Sequence, residues 1–192
     1  MTRVEEILRF NREFVENREY EVFRTSRYPD KKLVILTCMD TRLTELLPKA
    51  LNLKNGDAKI IKNAGALVLQ PFRNVMRSIL VALYELNATE VLVIGHHNCG
   101  MTGLDPERVI AKMGNMGVDS ATIRMLEHAG IDLKRWLIGF HSVRESVEQS
   151  VSIIRNHPLL PKGVPVHGMI IDPETGKLEL VTDGYAVLQE SE

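Results

Sequence analysis

The sequence is short of several things at once. Only two of its 192 residues are cysteine, one is tryptophan, and aromatic residues make up 5%. Two cysteines, Cys38 and Cys99, are too few for a disulfide scaffold, and in a reducing compartment such cysteines are more often metal-binding or catalytic than bridged. Neither charge sign dominates: 24 Lys and Arg stand against 25 Asp and Glu, a net charge of −1. That balance speaks against a nucleic-acid surface or a basic membrane-binding face. Long hydrophobic runs are missing too. The longest, Ile79 to Tyr84, is far below the ~20 residues that span a bilayer. The opening Met1-Thr-Arg-Val-Glu-Glu is acidic where a secretory signal is basic and then apolar, so a cytoplasmic location is expected. No internal repeat or low-complexity tract is present.

What remains is ordinary globular material, with 44% hydrophobic and 26% charged residues. A chain of this length buries roughly 70% of its unfolded surface, enough for a full core without disulfides. We expect one domain over residues 1–192, with residues 1–28 as an N-terminal helical arm. In that arm Val4, Ile7, Leu8, Phe14 and Val15 share roughly one helical face, ahead of a loop at Tyr28-Pro29-Asp30. Lys32 to Thr37 is a short apolar run suited to a strand buried on both faces. A helix is expected from about Arg42 to Leu47, with Pro48 near its end, and a second strand over Ala58 to Lys62, closed by Asn63-Ala64-Gly65. Arg73 to Leu86 carries Val75, Met76, Ile79, Leu80, Leu83 and Leu86 at helical spacing. Glu90 to Gly95 reads as a third buried strand. Several helical pieces follow, the last opened by Ser142 with Glu145 three residues on, a capping-box pattern. Val166 to Ile171 and Lys177 to Val181 flank a hairpin at Asp172-Pro-Glu-Thr-Gly176. Strands alternating with helices predict an α/β fold: a central, mostly parallel sheet flanked by helices, with an antiparallel edge from the C-terminal hairpin.

Two of these strands end in residues with metal-ligand chemistry: Cys38, followed by Asp40 and Arg42, and His96 with Cys99. Ligands of open α/β sheets bind beyond the carboxyl ends of the strands. If the two strands are parallel neighbours, Cys38 meets the His96…Cys99 pair there. Two thiolates and an imidazole suit Zn²⁺ and leave a fourth position open. Two thiolates neutralise the ion, so a hydroxide or carboxylate as fourth ligand leaves a charge that the Arg42 guanidinium would offset. Strand alternation, if continued, places Asp40 on the face of Cys38, free either to pair with Arg42 or to swing onto the metal. Each part also has a plainer reading: a strand-end Cys as a small buried hydrophobe, His96 or His97 as a surface or capping residue, Asp40 with Arg42 as a surface ion pair worth ~0–1 kcal/mol. The coincidence of all of them at two strand ends favours a site.

The pattern Cys38-x-Asp40-x-Arg42 followed by His96-x-x-Cys99 resembles the zinc signature of the β-class carbonic anhydrases, in their compact microbial branch. Gly56-Asp57-Ala-Lys-Ile-Ile-Lys-Asn63-Ala64-Gly65, Arg77-Ser78, and Gly95 through Met101 are similar to further stretches of that family. The likeness is close over residues 30–105 and looser at the tail; residues 105–160 carry no motif that can be placed. The resemblance implies one Zn²⁺ per chain, bound by Cys38, His96 and Cys99. It implies two states: in one Asp40 pairs with Arg42 while water or hydroxide holds the fourth position, in a closed one Asp40 itself ligates zinc. The activity implied is reversible hydration of CO₂ to bicarbonate and a proton, by attack of zinc-bound hydroxide, with no nucleic-acid or membrane partner. Thiolate ligands should leave the bound water less acidic than the ~7 of a three-His site, favouring mildly alkaline pH. Family members are dimers or larger, with the N-terminal helix often reaching to a neighbour, so the resemblance implies a homodimer or dimer of dimers here; the Val4/Ile7/Phe14 face could serve that end or pack on its own domain.

Some positions depart from the family. Lys62 stands where Arg is common, and Gln70-Pro71-Phe72-Arg73 occupies a stretch where relatives often carry acidic residues. Gly65 and Gly100 are expected to allow close backbone approach near the metal. No proton shuttle is named: His97 points away by alternation, and His128, His141, His157 and His167 read as surface or structural residues. Three alternatives stand beside CO₂ hydration. One is hydrolysis of carbon disulfide or carbonyl sulfide at the same site. Another is a zinc-stabilised binding protein with Asp40 permanently on the metal. The third is a metal-free Cys-His nucleophile built from Cys38 or Cys99 and His96.

Overall fold

A computed structural model describes residues 1–190. Five strands form a single sheet in the order β2-β1-β3-β4-β5. They are β1 (Leu33–Cys38), β2 (Ala58–Asn63), β3 (Glu90–His96), β4 (Val166–Ile171) and β5 (Leu178–Thr182). Strand β1 runs parallel to both β2 and β3, β3 runs parallel to β4, and only β5 is antiparallel. The expected α/β architecture with an antiparallel edge is therefore present.

The sheet is central because its strands are apolar on both faces. Val34, Ile35, Leu36, Val91, Val93 and Ile94 have no exposed surface. On one face Val34, Leu36, Val91 and Val93 pack against helices α3 (Asn74–Tyr84), through Met76 and Ile79, and α7 (Val143–Arg155), through Val147, Val151 and Ile154. On the other, Ile35, Leu92 and Ile94 meet Leu43 and Leu47 of α2 (Leu43–Ala50), together with Cys38 and Cys99. Full burial of each such side chain contributes about 1.5–3 kcal/mol, an upper range because the unfolded chain is itself partly collapsed. Helix α2 continues two residues past Pro48 to Ala50.

The stretch without motifs, residues 105–160, contains α4 (Pro106–Asn115), α5 (Ser120–His128), α6 (Leu133–Leu137) and α7. Asp105, Asp119 and Asp132 each cap the following helix with a side-chain oxygen, as Ser142 does for α7 by accepting from the Glu145 N–H. These aspartates satisfy amide donors that have no partner inside the helix. A short C-terminal helix, α8 (Gly184–Gln189), was not expected; Asp183 caps it. It is tied to β4 by the Gly184 N–H, which donates to His167 Nδ1 at 3.1 Å. His157 is likewise buried and structural: Leu159 N–H donates to its Nδ1 at 3.1 Å, and its Nε2 donates to the Pro71 carbonyl at 3.0 Å.

The N-terminal arm begins with α1 (Arg3–Glu16), opened by a full capping box between Thr2 and Glu5. None of its residues is buried, and Val4, Ile7, Leu8 and Phe10 are each more than half exposed. Its apolar face does not pack on the sheet. Its one ring contact runs to the 3₁₀ turn that follows, where Phe14 stacks on Phe23 with centroids 6.4 Å apart.

Helix α7 lies close over β3 and β4 because glycines stand beneath it. A Cβ at Gly95 would fall 2.8 Å from Val147 Cγ2 and 2.9 Å from Val143 Cγ2. The Gly95→Val variant should therefore lose about 2 kcal/mol or more through overpacking, seen as a lower urea midpoint at unchanged slope. An unchanged midpoint would contradict this packing.

Candidate metal centre

Cys38 is the last residue of β1 and His96 the last of β3. The two strands are in-register neighbours, Thr37 standing opposite Ile94, so both residues emerge at the same carboxyl edge. A turn after His96 then returns Cys99 to the same point. The ligand atoms of Cys38, His96 and Cys99 lie within 4.8 Å of one another, and all three residues are buried. The two sulfurs are 3.9 Å apart. Sulfurs each ~2.3 Å from a tetrahedral zinc ion would be about 3.8 Å apart, so the spacing suits that ion.

The imidazole is oriented for the same purpose. His96 Nδ1 lies 2.7 Å from the His97 carbonyl, which only accepts, so Nδ1 carries the proton. Nε2 is left with a lone pair, is buried, and has no hydrogen-bond partner. A buried nitrogen without a partner is costly unless something else satisfies it, and a metal ion does so; fixing the far nitrogen on a carbonyl is the usual orienting device for a ligating histidine.

Charge within the cluster is tightly coupled. The hydrogen bond to Cys99 lowers the Cys38 thiol, against the effect of burial and with help from His96 and from the Gly65 and Asp40 backbones. The same contact, reinforced by burial, raises Cys99. One thiolate thus forms readily and the second resists, as two like charges in contact require; a dication at the centre would remove that resistance. Burial disfavours charge on His96, but the Cys38 contact and the His97 carbonyl outweigh it and raise its pKa.

Asp40 and Arg42 sit at the mouth of this cluster. β1 ends at Cys38, so strand alternation does not carry Asp40 inward as expected; a side-chain turn does. Asp40 Oδ1 accepts from the Arg42 backbone N–H at 2.9 Å and from Nε at 3.0 Å, while Oδ2 accepts from Nη2 at 2.8 Å. The same Oδ2 lies 3.7 Å from His96 Nε2. Held chiefly by the Arg42 hydrogen bonds, the Asp40 carboxyl is lowered to about 2.

One participant escaped the sequence reading, the backbone of Asn98. Arg42 Nη2 also donates to the Asn98 carbonyl at 3.0 Å, which fastens the β1 loop to the β3 loop. Asn98 adopts a left-handed conformation, φ 51°, that turns this carbonyl outward; Asn is one of the few residues that tolerate it, and this was the available signal. Gly65 N–H donates to Cys38 Sγ at 3.4 Å, and its φ of 85° suits glycine. Gly100 has no such role: a Cβ there would meet nothing within 4 Å, so the expected close approach is absent. His97 is exposed and is not among the converging ligand residues.

Over residues 33–178 the chain matches a sequence family described as carbonic anhydrase. It is 60% identical over 185 residues to the Bacillus subtilis protein named "Putative carbonic anhydrase YvdA", an alignment covering 96% of this chain and 94% of that one. The crystal structure of β-carbonic anhydrase isoform I from Trichomonas vaginalis superposes with a TM-score of 0.87 at 33% identity, covering 96% of this chain and all of the other. A protein named carbon disulfide hydrolase from Acidithiobacillus thiooxidans is 29% identical over 157 residues, 78% of this chain and 76% of that one.

The Asp40 pKa sets a direction for pH. Its folded value, about 2, lies below the ~3.9 of a free aspartate, so the pair stabilises the fold fully above that value. The contribution fades as pH falls from ~4 toward 2. Replacing Arg42 by Gln should return the Asp40 titration toward ~3.9, read from its carboxyl ¹³C shift by NMR; an unmoved titration would show that Arg42 is not its cause.

Proposed function

The chain belongs to the β-carbonic anhydrase family, and on that premise we propose that it catalyses the reversible hydration of CO₂ to bicarbonate and a proton, at a zinc ion held by Cys38, His96 and Cys99. The observation that carries this reading is the convergence of two thiols and a partnerless imidazole nitrogen beside a carboxylate already locked to an arginine. When bound, Zn²⁺ supplies the Lewis acidity that makes water a nucleophile near neutral pH.

The chain's own residues do the rest. The His97 carbonyl holds His96 so that Nε2 faces the centre. Gly65 N–H takes up part of the charge on the Cys38 sulfur. Asp40, fixed by Arg42, accepts a hydrogen bond from the attacking water and aims its lone pair at the carbon of CO₂. Arg42 donates to both carboxylate oxygens, and this pairing would keep Asp40 off a bound ion and leave a position on it for chemistry, which supports the open arrangement over the closed one.

A second reading has its own support. The relative from Acidithiobacillus thiooxidans is named for hydrolysis of carbon disulfide, a linear molecule like CO₂, and the same ligand chemistry serves both. Carbonyl sulfide belongs to the same class.

For the assembly we propose a homodimer, or a dimer of dimers, built through the arm of residues 1–28. An isolated helix of α1's length is marginal in water unless its apolar face is covered. Val4, Ile7, Leu8 and Phe10 leave that face open. A second copy of the chain is the fitting cover, since most soluble oligomers are symmetric homo-oligomers. The cytoplasm is the proposed location, supported by two unpaired cysteines; among the described residues no helix is long and apolar enough to cross a membrane.

Stopped-flow CO₂ hydration on protein of known zinc content tests the reading, with CS₂ and carbonyl sulfide assayed in parallel. Turnover should rise toward mildly alkaline pH and vanish on chelation. Asp40→Ala should keep close to one zinc per chain while kcat/KM falls about 10²-fold or more, the usual worth of a positioned proton acceptor. Loss of zinc and stability with Asp40→Ala would instead mark a closed structural site. For the assembly, the double change Ile7→Asp with Phe10→Asp should turn the dimer into monomer by light scattering; an unchanged mass would place the interface elsewhere.

A further inference from the structure

Residues 105–140 leave the sheet just after Cys99 and return to the same place. The exit and return segments are clamped together. Gly103 N–H donates to the Phe140 carbonyl at 2.8 Å, and Phe140 N–H donates to the Met101 carbonyl at 3.1 Å. Thr102 and Phe140 form an isolated parallel bridge. The approach is so close that a Cβ at Gly139 would stand 2.0 Å from the Met101 carbonyl oxygen. Thr102 N–H in turn donates to the Cys99 carbonyl at 3.0 Å, so the clamp is continuous with the Cys99 turn.

The clamp delivers one ring to a defined spot. Around the position a Cβ would take on Gly65, Phe140 Cε1 lies at 3.0 Å, Met101 Cγ at 3.1 Å and Leu67 Cδ1 at 3.3 Å. Gly65 is the residue whose N–H touches Cys38 Sγ. Phe140 and Met101 also pack on the buried cluster that contains Cys38 and Cys99, yet both remain only half-buried. The centre therefore has two unlike sides, a polar one made by Asp40, Arg42 and the Asn98 carbonyl, and an apolar one closed by Phe140 with Met101 and Leu67.

We propose that Phe140 is a specificity-determining residue, the apolar wall against which an uncharged linear triatomic substrate lies while its carbon faces the polar side. The proposal rests on the reaction assigned to this site above. Such a molecule offers no hydrogen-bond donor or charge for recognition, so excluding water along an apolar face is the contact left to hold it. The same face gives a hydrated anion such as bicarbonate nothing to pair with, which favours release of the product. The helices α4–α6 then have a stated task, to bring that wall back beside Cys99.

Two measurements on zinc-loaded full-length protein test this. In Phe140→Ala, kcat/KM for CO₂ should fall about tenfold with kcat nearly unchanged, the scale of a lost apolar pocket contact. Phe140→Leu should recover most of the loss, and both variants should keep their zinc. Independently of turnover, xenon pressed into crystals of the unaltered protein should be found against the Phe140 ring and Met101, as it occupies apolar sites elsewhere. Xenon at this wall without turnover of CO₂, carbonyl sulfide or CS₂ would uphold the apolar wall and remove the reaction assigned to the site. Turnover with xenon absent from the wall would overturn the proposal. So would a Phe140→Ala variant equal to its parent in kcat/KM, or one whose kcat falls in step with its zinc.

Discussion

Because β1 and β3 run parallel as in-register neighbours, their last residues emerge side by side, and the candidate centre depends on that placement. Neither Cys38 nor His96 has to reach: each stands at the end of a strand whose four preceding residues are buried. Thr37 reinforces the pairing at its last step, where its buried hydroxyl donates to the Ile94 carbonyl at 3.0 Å. The precision of the donor set is thus inherited from the stiffest part of the fold, as preorganised sites on regular elements generally are.

Electrostatics explains why these residues tolerate one another. Two thiols packed against each other out of water resist ionising together. They form a set that awaits positive charge, while the neighbouring carboxylate has its own cation in Arg42. The two charge problems are solved separately, so Asp40 is not drawn into the cluster. The Asn98 carbonyl, as a third acceptor for the guanidinium, ties that solution to the loop carrying Cys99.

Much of this was legible in the sequence, for identifiable reasons. Buried parallel strands are nearly continuous apolar runs, so Lys32 to Thr37 and Glu90 to Gly95 stood out, with Cys38 and the His96…Cys99 pair following directly at their carboxyl ends. The Asp40 geometry was less legible, because a turn rather than strand alternation sets it. Asn98 and Phe140 were not found. The first acts through its backbone carbonyl, which leaves no side-chain signature. The second belongs to a stretch without motifs and reaches the centre only through pairing between Met101–Gly103 and Gly139–Phe140. Gly100 shows the opposite error, a glycine credited with a close approach that its neighbours do not make. The α1 face was visible as an amphipathic pattern, but whether it packs on its own chain is a tertiary question that periodicity does not address.

The clamp at Gly139 has a further consequence for how such a chain can vary. Since the excursion is pinned at its base by backbone pairs, its helices connect two points whose separation is already set. The entropy of closing a loop grows only with the logarithm of its length, about 0.6 kcal/mol for each doubling. Helices α4–α6 can therefore lengthen, shorten or change surface without moving Cys99 or Phe140, provided the glycine at the neck is kept. Evolutionary drift in length has a natural outlet there, insulated from the chemistry by a few hydrogen bonds and one missing side chain.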